Sequence, residues 1–364
     1  MNGARKLLIS IVFVLCMAAP SRSGELVSTF GRERPVTVED FRPQLEDAEG
    51  YTEQWNYTVH LQDGTFLAAD FGVTNLALTS DHNGVFRAKH IDPQKRKTKC
   101  QVELDDDEWK YGKTGFWLDF KKGKVKSDLK GSDVTVRCKK LKMDLHFENL
   151  APPFKPGGGV LRFGKGNNVY RAVFMSPRAR VTGKITVGGE EREIKGIGHV
   201  MHTHTNMRPD KQVHRWFRFK RIDEDITIVL TEMESTKHYL NTRRGWVLAY
   251  DAKGRLLASA RVRFDFEGFI KDQNSEEGYR IPRRVRFVAV DGKNQLVGVL
   301  TMQKILKVVD PTADIGSLKR AVVRRFSKPK EYHIGCKYKF NLKTEQGSRI
   351  IEGENKYRFA YVNP

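Results

Sequence analysis

Residues 195–221, KGIGHVMHTHTNMRPDKQVHRWFRFKR, set His199, His202, His204 and His214 beside Trp216, Phe217 and Phe219. Imidazole is the side chain best suited to moving protons near neutral pH and the commonest metal ligand. On a strand His202 and His204 share one face, a workable pair for zinc. A closed zinc site needs further ligands, and the THTN stretch supplies no Cys, Asp or Glu at ligand spacing, nor is there an HExxH helix. No metal and no cofactor is therefore expected. A plainer use for these histidines is hydrogen bonding to backbone at a domain interface.

Proton transfer is the other chemistry this stretch suggests. His202 or His204, with an acid from the following strand, Glu232 or Glu234 in LTEMEST, would protonate an alkene for hydration or cyclisation. If the protein is an enzyme, the expected catalytic set is His202, His204 and Glu232. The chain has no GxSxG elbow, no phosphate loop and no local Cys-His motif, so serine or cysteine nucleophile chemistry and P-loop phosphoryl transfer have no signature.

The elements that would position these groups read as strands. Trp55, Tyr57, Val59 and Leu61 alternate with Asn56, Thr58 and His60; Val262, Phe264 and Phe266 alternate with Arg263 and Asp265; Tyr357, Phe359 and Tyr361 repeat the pattern near the C-terminus. Period-two alternation broken by QDG, HNG, VGG and VDG turns predicts an all-β fold of sandwich or barrel type. A chain of 364 residues exceeds one ordinary core. EQWNYTVHLQDGTFLAADF and HRWFRFKRIDEDITIVLTEM echo each other, Trp55 and Trp216 holding matching places. Each would open a β-domain, giving an N-terminal barrel over 24–195 and a C-terminal barrel over 196–364, with 196–212 as a junction loop.

Arg5 and Lys6, the apolar run Leu7 to Ala19 and the pattern Pro20-Ser21-Arg22-Ser23 have the order of a secretory signal peptide, residues 1–23. An exported protein, periplasmic or extracellular, is expected. Losing the segment lowers the formal charge of +21 by three, still a field that attracts anions. After export nucleic acid is not an expected partner, whereas an anionic membrane surface is. In an oxidising compartment Cys100 and Cys138 are expected to pair, leaving Cys336 free. One segment breaks the β pattern: in DIGSLKRAVVRRF a helical face of Ile315, Leu318, Val322 and Phe326 lies apart from Arg320, Arg324 and Arg325. A short basic amphipathic helix either packs on its own domain or rests on a membrane, with Leu318, Arg320, Val322, Arg324 and Arg325 in contact.

The string Gly196-x-Gly198, His202, Asn206-Met207-x-Pro209, Arg215-Trp216-x-x-Phe219 resembles the junction motif of the survival factor family, within the lipocalin-like group that includes carotenoid 1,2-hydratases, AttH-like proteins and some fungal cyclases. TEQWNYTVHLQDGTFLAADFGVTN looks like that family's first hairpin, and VVDPTADIGSLKRAVVRRFSKPKEY like its late insert. The resemblance implies two tandem lipocalin-like (calycin) up-and-down antiparallel barrels. The chain departs from the hydratase branch, whose members share a His-x-Trp pair near this junction: here His204 follows His202 and Asn206 follows His204. The expected function is a non-catalytic carrier of a lipid or other hydrophobic molecule, lined by Trp55, Tyr57, Trp117, His202, His204, Met207, Trp216 and Phe219. The alternatives are a hydratase or cyclase acting on an isoprenoid or polyene, and a structural envelope protein.

Overall fold

The structure, a computed structural model, describes residues 27–75, 82–273, 275, 277–313, 324 and 327–362. The first half contributes β1 Thr52–Leu61, β2 Phe66–Thr74, β3 Asn83–Ile91, β4 Lys97–Leu104, β5 Lys110–Tyr111 and β6 Phe116–Phe120. It continues with β7 Gly123–Ser127, β8 Gly131–Cys138, β9 Leu141–Asn149, β10 Val160–Arg162, β11 Val169–Val187 and β12 Glu190–Thr205. The second half holds β13 Val213–Ile222, β14 Ile226–Ser235, β15 Arg243–Asp251, β16 Leu256–Val262, β17 Asp265–Glu267 and β18 Ile270–Lys271. After these come β19 Arg280–Ile281, β20 Arg284–Asp291, β21 Asn294–Val309, β22 Lys330–Thr344 and β23 Gly347–Tyr361.

Alternation produces these strands. In β9, Leu141, Met143, Leu145 and Phe147 are buried while Lys142, Asp144, His146 and Glu148 face solvent, the pattern of a sheet with one covered face. The first sheet has the order β4-β3-β2-β1-β12-β11-β9-β8-β7-β6-β5, with β10 against β11; the second runs β16-β15-β14-β13-β23-β22-β21-β20-β17. In each, the opening strand pairs with both its hairpin partner and the last strand of its half. Both sheets curl, giving tandem lipocalin-like barrels. The Cys100–Cys138 disulfide ties edge strand β4 to β8 across the first curl. In the second, the Ser259 N–H donates to Asp291 Oδ2 at 2.8 Å, joining β16 to β20. Cys336 is a free thiol buried in the second core.

Each barrel encloses an aromatic core, and a third apolar cluster, including Phe174, Val213, Met233 and Trp246, lies between their outer faces. Arg178 bolts that interface. Its guanidinium donates to the Asp223 carbonyl at 2.7 Å, the Glu224 carbonyl at 2.5 Å and Thr227 Oγ1 at 3.0 Å, all on the β13–β14 hairpin side.

Several expectations are corrected here. Residues 196–205 are not loop: they complete β12 and pair with β1 along Gly196 to Thr205. Gly198 serves the strand itself: a Cβ there would stand 2.5 Å from Val181 Cγ2 and 2.6 Å from Phe147, so the glycine permits close strand packing. The connection is confined to 206–212, with a single helical turn, Pro209–Gln212. Trp117 does not line a barrel: Phe116, Leu118 and Phe120 face inward, leaving it 39% exposed on the outer face. Trp216 also faces outward, because Phe217 and Phe219 take the interior; it packs on Tyr170 with centroids 5.4 Å apart. Met207 is buried in the inter-barrel cluster. The signal segment 1–23 lies outside the described residues, as do Leu318, Arg320, Val322 and Arg325; Arg324 is described, paired with Asp310 at 2.6 Å.

Candidate active site at the mouth of the first barrel

The start of β1 and the end of β12 lie side by side, Glu53 opposite His204 and Trp55 opposite His202. Opposed residues of an antiparallel pair share a face, and Trp55 faces inward, so all four do. A carboxyl group, that of Glu53, is thereby placed at 0% exposure and His202 at 3%.

His202 is held on three sides. Its ring lies flat on Trp55, with centroids 4.7 Å apart and planes within 9°. Its Nδ1 lies 2.8 Å from the Asp40 carbonyl and its Nε2 2.6 Å from Glu53 Oε1. A carbonyl only accepts, so Nδ1 carries a proton; a carboxylate also only accepts, so a second proton must lie between Nε2 and Oε1. The other oxygen, Glu53 Oε2, accepts from the Tyr51 hydroxyl at 2.5 Å and the Gln44 N–H at 2.9 Å. Burial, reinforced by the Glu53 charge, raises the Tyr51 phenol so that it stays a donor. The result is a buried pair holding one transferable proton.

His204 stands beside it and is different. Neither ring nitrogen makes a hydrogen bond, although Nε2 lies 3.2 Å from Glu46 Oε1. Burial lowers its pKa against the opposing charges of Glu53 and Glu46, favouring neutral imidazole. Arg171, opposite His204 on β11, has a buried Nε that is also unpartnered. Orphaned buried polar atoms are uncommon and mark places where a ligand or catalytic role is to be sought.

A strap, residues 37–51, covers this end. The 3-10 turn Val38–Phe41 supplies the Asp40 carbonyl, and the Asp40 carboxylate is gripped at both oxygens by Lys155 Nζ at 2.8 Å. The Phe41 carbonyl accepts from Trp55 Nε1 at 2.8 Å. Asn206 donates to Glu46 Oε2 at 2.7 Å, joining strap to junction. Gly50 closes the strap: its φ is +93° and a Cβ would meet the Arg208 backbone nitrogen at 2.3 Å.

The structure thus brings Trp55, His202 and His204 together, with Tyr57 one step deeper, its hydroxyl 3.1 Å from Ser127 Oγ. It does not bring Glu232 to them. Glu232 lies inside the second barrel opposite Phe217, bound by Arg243 through both oxygens at 2.7 and 3.0 Å. Burial raises its pKa while Arg243 and the Phe264 N–H oppose the shift. Phe219 is core of that same barrel, between Tyr338 and Phe340. His199 faces the other barrel and contacts the Pro177 carbonyl at 3.0 Å, the backbone role open to it from sequence. Sequence reasoning missed Glu53, Tyr51 and Glu46. The signal for Glu53 was present in YTEQWNY: an acid on the inward phase of a strand whose other inward residues are aromatic. Among the described residues no group of three or more ligand-type side chains is arranged to hold a metal.

This arrangement, two curled barrels with a buried acid–base cluster at their junction, defines a tandem lipocalin-like protein. The profile of the Svf1 family matches residues 35–349, and the chain belongs to that family. No curated protein is significantly similar in sequence. Solved structures share the fold at low identity. One is CghA with Sch210972, at 10% identity, covering 94% of this chain and 97% of the other with a TM-score of 0.63. A presumed AttH of Nitrosomonas europaea is 12% identical over 92% and 99% of the chains, with a TM-score of 0.57. Kievitone hydratase of Nectria haematococca is 12% identical over 93% and 99%, with a TM-score of 0.52.

Proposed function

We propose that the chain is an acid–base enzyme of the hydratase or cyclase type acting on an apolar unsaturated molecule, an isoprenoid or polyene, with His202 and Glu53 as its proton-handling pair. The observation that carries this is the 2.6 Å contact between His202 Nε2 and Glu53 Oε1, buried at the mouth of an aromatic barrel beside the orphaned His204. The tryptophan missing two positions after His202 is supplied across the strand by Trp55. The kinship in fold to a protein named a hydratase supports the same reading. In hydration, the shared proton goes to one alkene carbon, water adds to the other, and the proton that water releases returns to the pair. In cyclisation the returning proton comes from carbon. His204, favoured as neutral imidazole by burial and with no hydrogen bond at either nitrogen, would orient the water together with the nearby Glu46, and the strap must swing aside for substrate to enter.

The carrier reading takes second place because the first barrel is filled: Phe71, Phe86, Phe120 and Phe147 are each fully buried in its core. Export is part of the proposal, since the Leu7 to Ala19 run and the Cys100–Cys138 bond both suit an oxidising compartment. Contact of residues 314–330 with an anionic membrane is a proposal that rests on sequence alone. The test is incubation of the purified chain with a panel of polyenes and isoprenoids in 18O-labelled water, followed by mass spectrometry. Conversion that falls by about a hundredfold or more in Glu53→Gln and His202→Asn supports the enzyme. A molecule that co-purifies unconverted, equally with wild type and both variants, overturns it in favour of the carrier.

A further inference from the structure

At the mouth of the first barrel three side chains stand in one row across neighbouring strands: Glu53 on β1, His204 on β12 and Arg171 on β11, each directly opposite the next. Residues opposed in this way share a face, with Cβ atoms about 5 Å apart. Trp55 and Val173, which flank His202 in the next row, belong to the core of the first barrel, so the row faces inward.

Glu53 is fully occupied, by His202, Tyr51 and the Gln44 N–H. Its two row-mates are not. Arg171 Nε and both nitrogens of His204 are buried without a hydrogen bond, so they do not serve one another. Among the described residues the Arg171 guanidinium enters no ion pair. The two orphans also differ in kind. A guanidinium nitrogen only donates, whereas a neutral imidazole has one donor and one acceptor. Burial, helped by the Arg171 charge, holds His204 toward that neutral form against Glu53 and Glu46. Its Nε2 lies 3.2 Å from Glu46 Oε1, and a carboxylate oxygen only accepts, so the ring's one proton belongs on that side. Nδ1 is left as an acceptor. The row therefore presents a buried donor and a buried acceptor on adjacent strands, both without a partner.

We propose that Arg171 Nε and His204 Nδ1 form a slot for one hydroxyl group of the apolar molecule, which takes a hydrogen bond from the guanidinium and gives one to the imidazole. The ligand class is an alcohol or a phenol. A carbonyl, carboxylate or ether oxygen only accepts and would leave Nδ1 unpaired; an ammonium only donates and would face the arginine's charge. Tyr51, its ring centroid 5.5 Å from that of His204, and Val160, opposite Arg171 on β10, flank the row. The inference rests on the reading of this mouth as a hydratase or cyclase site and names the polar group of its substrate. It leaves the Glu46 edge of His204 for water and the Glu53–His202 proton for the alkene.

Binding of farnesol, farnesyl methyl ether and farnesene to the full chain, followed by tryptophan fluorescence, tests this alongside conversion of the same three probes. They share an apolar body and differ in hydrogen bonding. Farnesol should bind about tenfold or more tighter than the ether and the hydrocarbon. Arg171→Met removes the donor and should bring farnesol down to the affinity of the ether while leaving farnesene unchanged. Should that variant fold poorly, His204→Asn, whose amide oxygen can still accept, should keep part of the preference that His204→Leu abolishes. Arg180→Met, which removes an exposed guanidinium paired with Glu148, should change nothing. Preference without conversion upholds the slot and counts against the enzyme; conversion with equal binding of all three overturns the slot and leaves the enzyme standing. The slot is also overturned if none of the three binds, or if a folded Arg171→Met or His204→Leu chain keeps the wild-type preference.

Discussion

His202 lies stacked on Trp55, the two rings within 9° of parallel, although one belongs to the first strand of the first barrel and the other to its last. This contact exists because β1 and β12 are neighbours, and it brings Glu53 to the imidazole.

Glu53→Ala should destabilise the first barrel by about 3–5 kcal/mol, the cost of leaving one member of a buried pair without its partner. His202, Tyr51 and the Gln44 N–H all lose their acceptor in that variant. Chemical denaturation followed by tryptophan fluorescence measures the loss; a change within 1 kcal/mol would mean that the cluster is solvated, not buried.

Arg178→Ala should loosen one barrel from the other. It strands carbonyls of Asp223 and Glu224 that the guanidinium now serves, at about 1–3 kcal/mol each. Proteolysis within 206–212 should become faster, and Arg178→Lys should recover only part of the loss because an ammonium cannot span the same fork of acceptors.

Cys138→Ser should lower stability by about 4 kcal/mol, the chain-entropy value for a closed loop of this length. Reduced wild type should match the variant in the same denaturation assay. Equality of oxidised wild type and variant would show that β4 stays docked without the covalent tie.

Stability should decline as pH falls from about 6.5 toward 4, in part through His60. Its folded value is lowered to about 4, first by burial and then by Lys220 and Lys356. The unfolded chain therefore binds a proton across this window while the folded chain does not, so stability present above 6.5 is lost as the pH drops. His60→Asn should flatten that part of the thermal-midpoint curve and leave its value at pH 8 little altered. An unchanged slope would assign the acid sensitivity elsewhere.

Much of the architecture was legible in the chain because local alternation is a local property. Strands such as β9 state their inner and outer faces residue by residue, and the two Trp-containing hairpins announce a repeated unit. The echo between Trp55 and Trp216 also misleads. Sequence aligns the two tryptophans, yet structural alternation aligns Trp55 with Phe217, and a shift of one residue sends a side chain to the opposite face of a sheet. Trp117 fails for the same reason, its aromatic neighbours Phe116 and Phe120 having taken the interior phase.

The sequence by itself determined an all-β chain with a cluster of histidines where one half passes into the next, since composition and period are carried by neighbours. Which of those histidines meets an acid was decided only in three dimensions. Glu53 and His202 become partners when the last strand of a curled sheet returns beside its first, a pairing set by register and closure; Glu232, the nearer acid along the chain, is taken into the second barrel by Arg243.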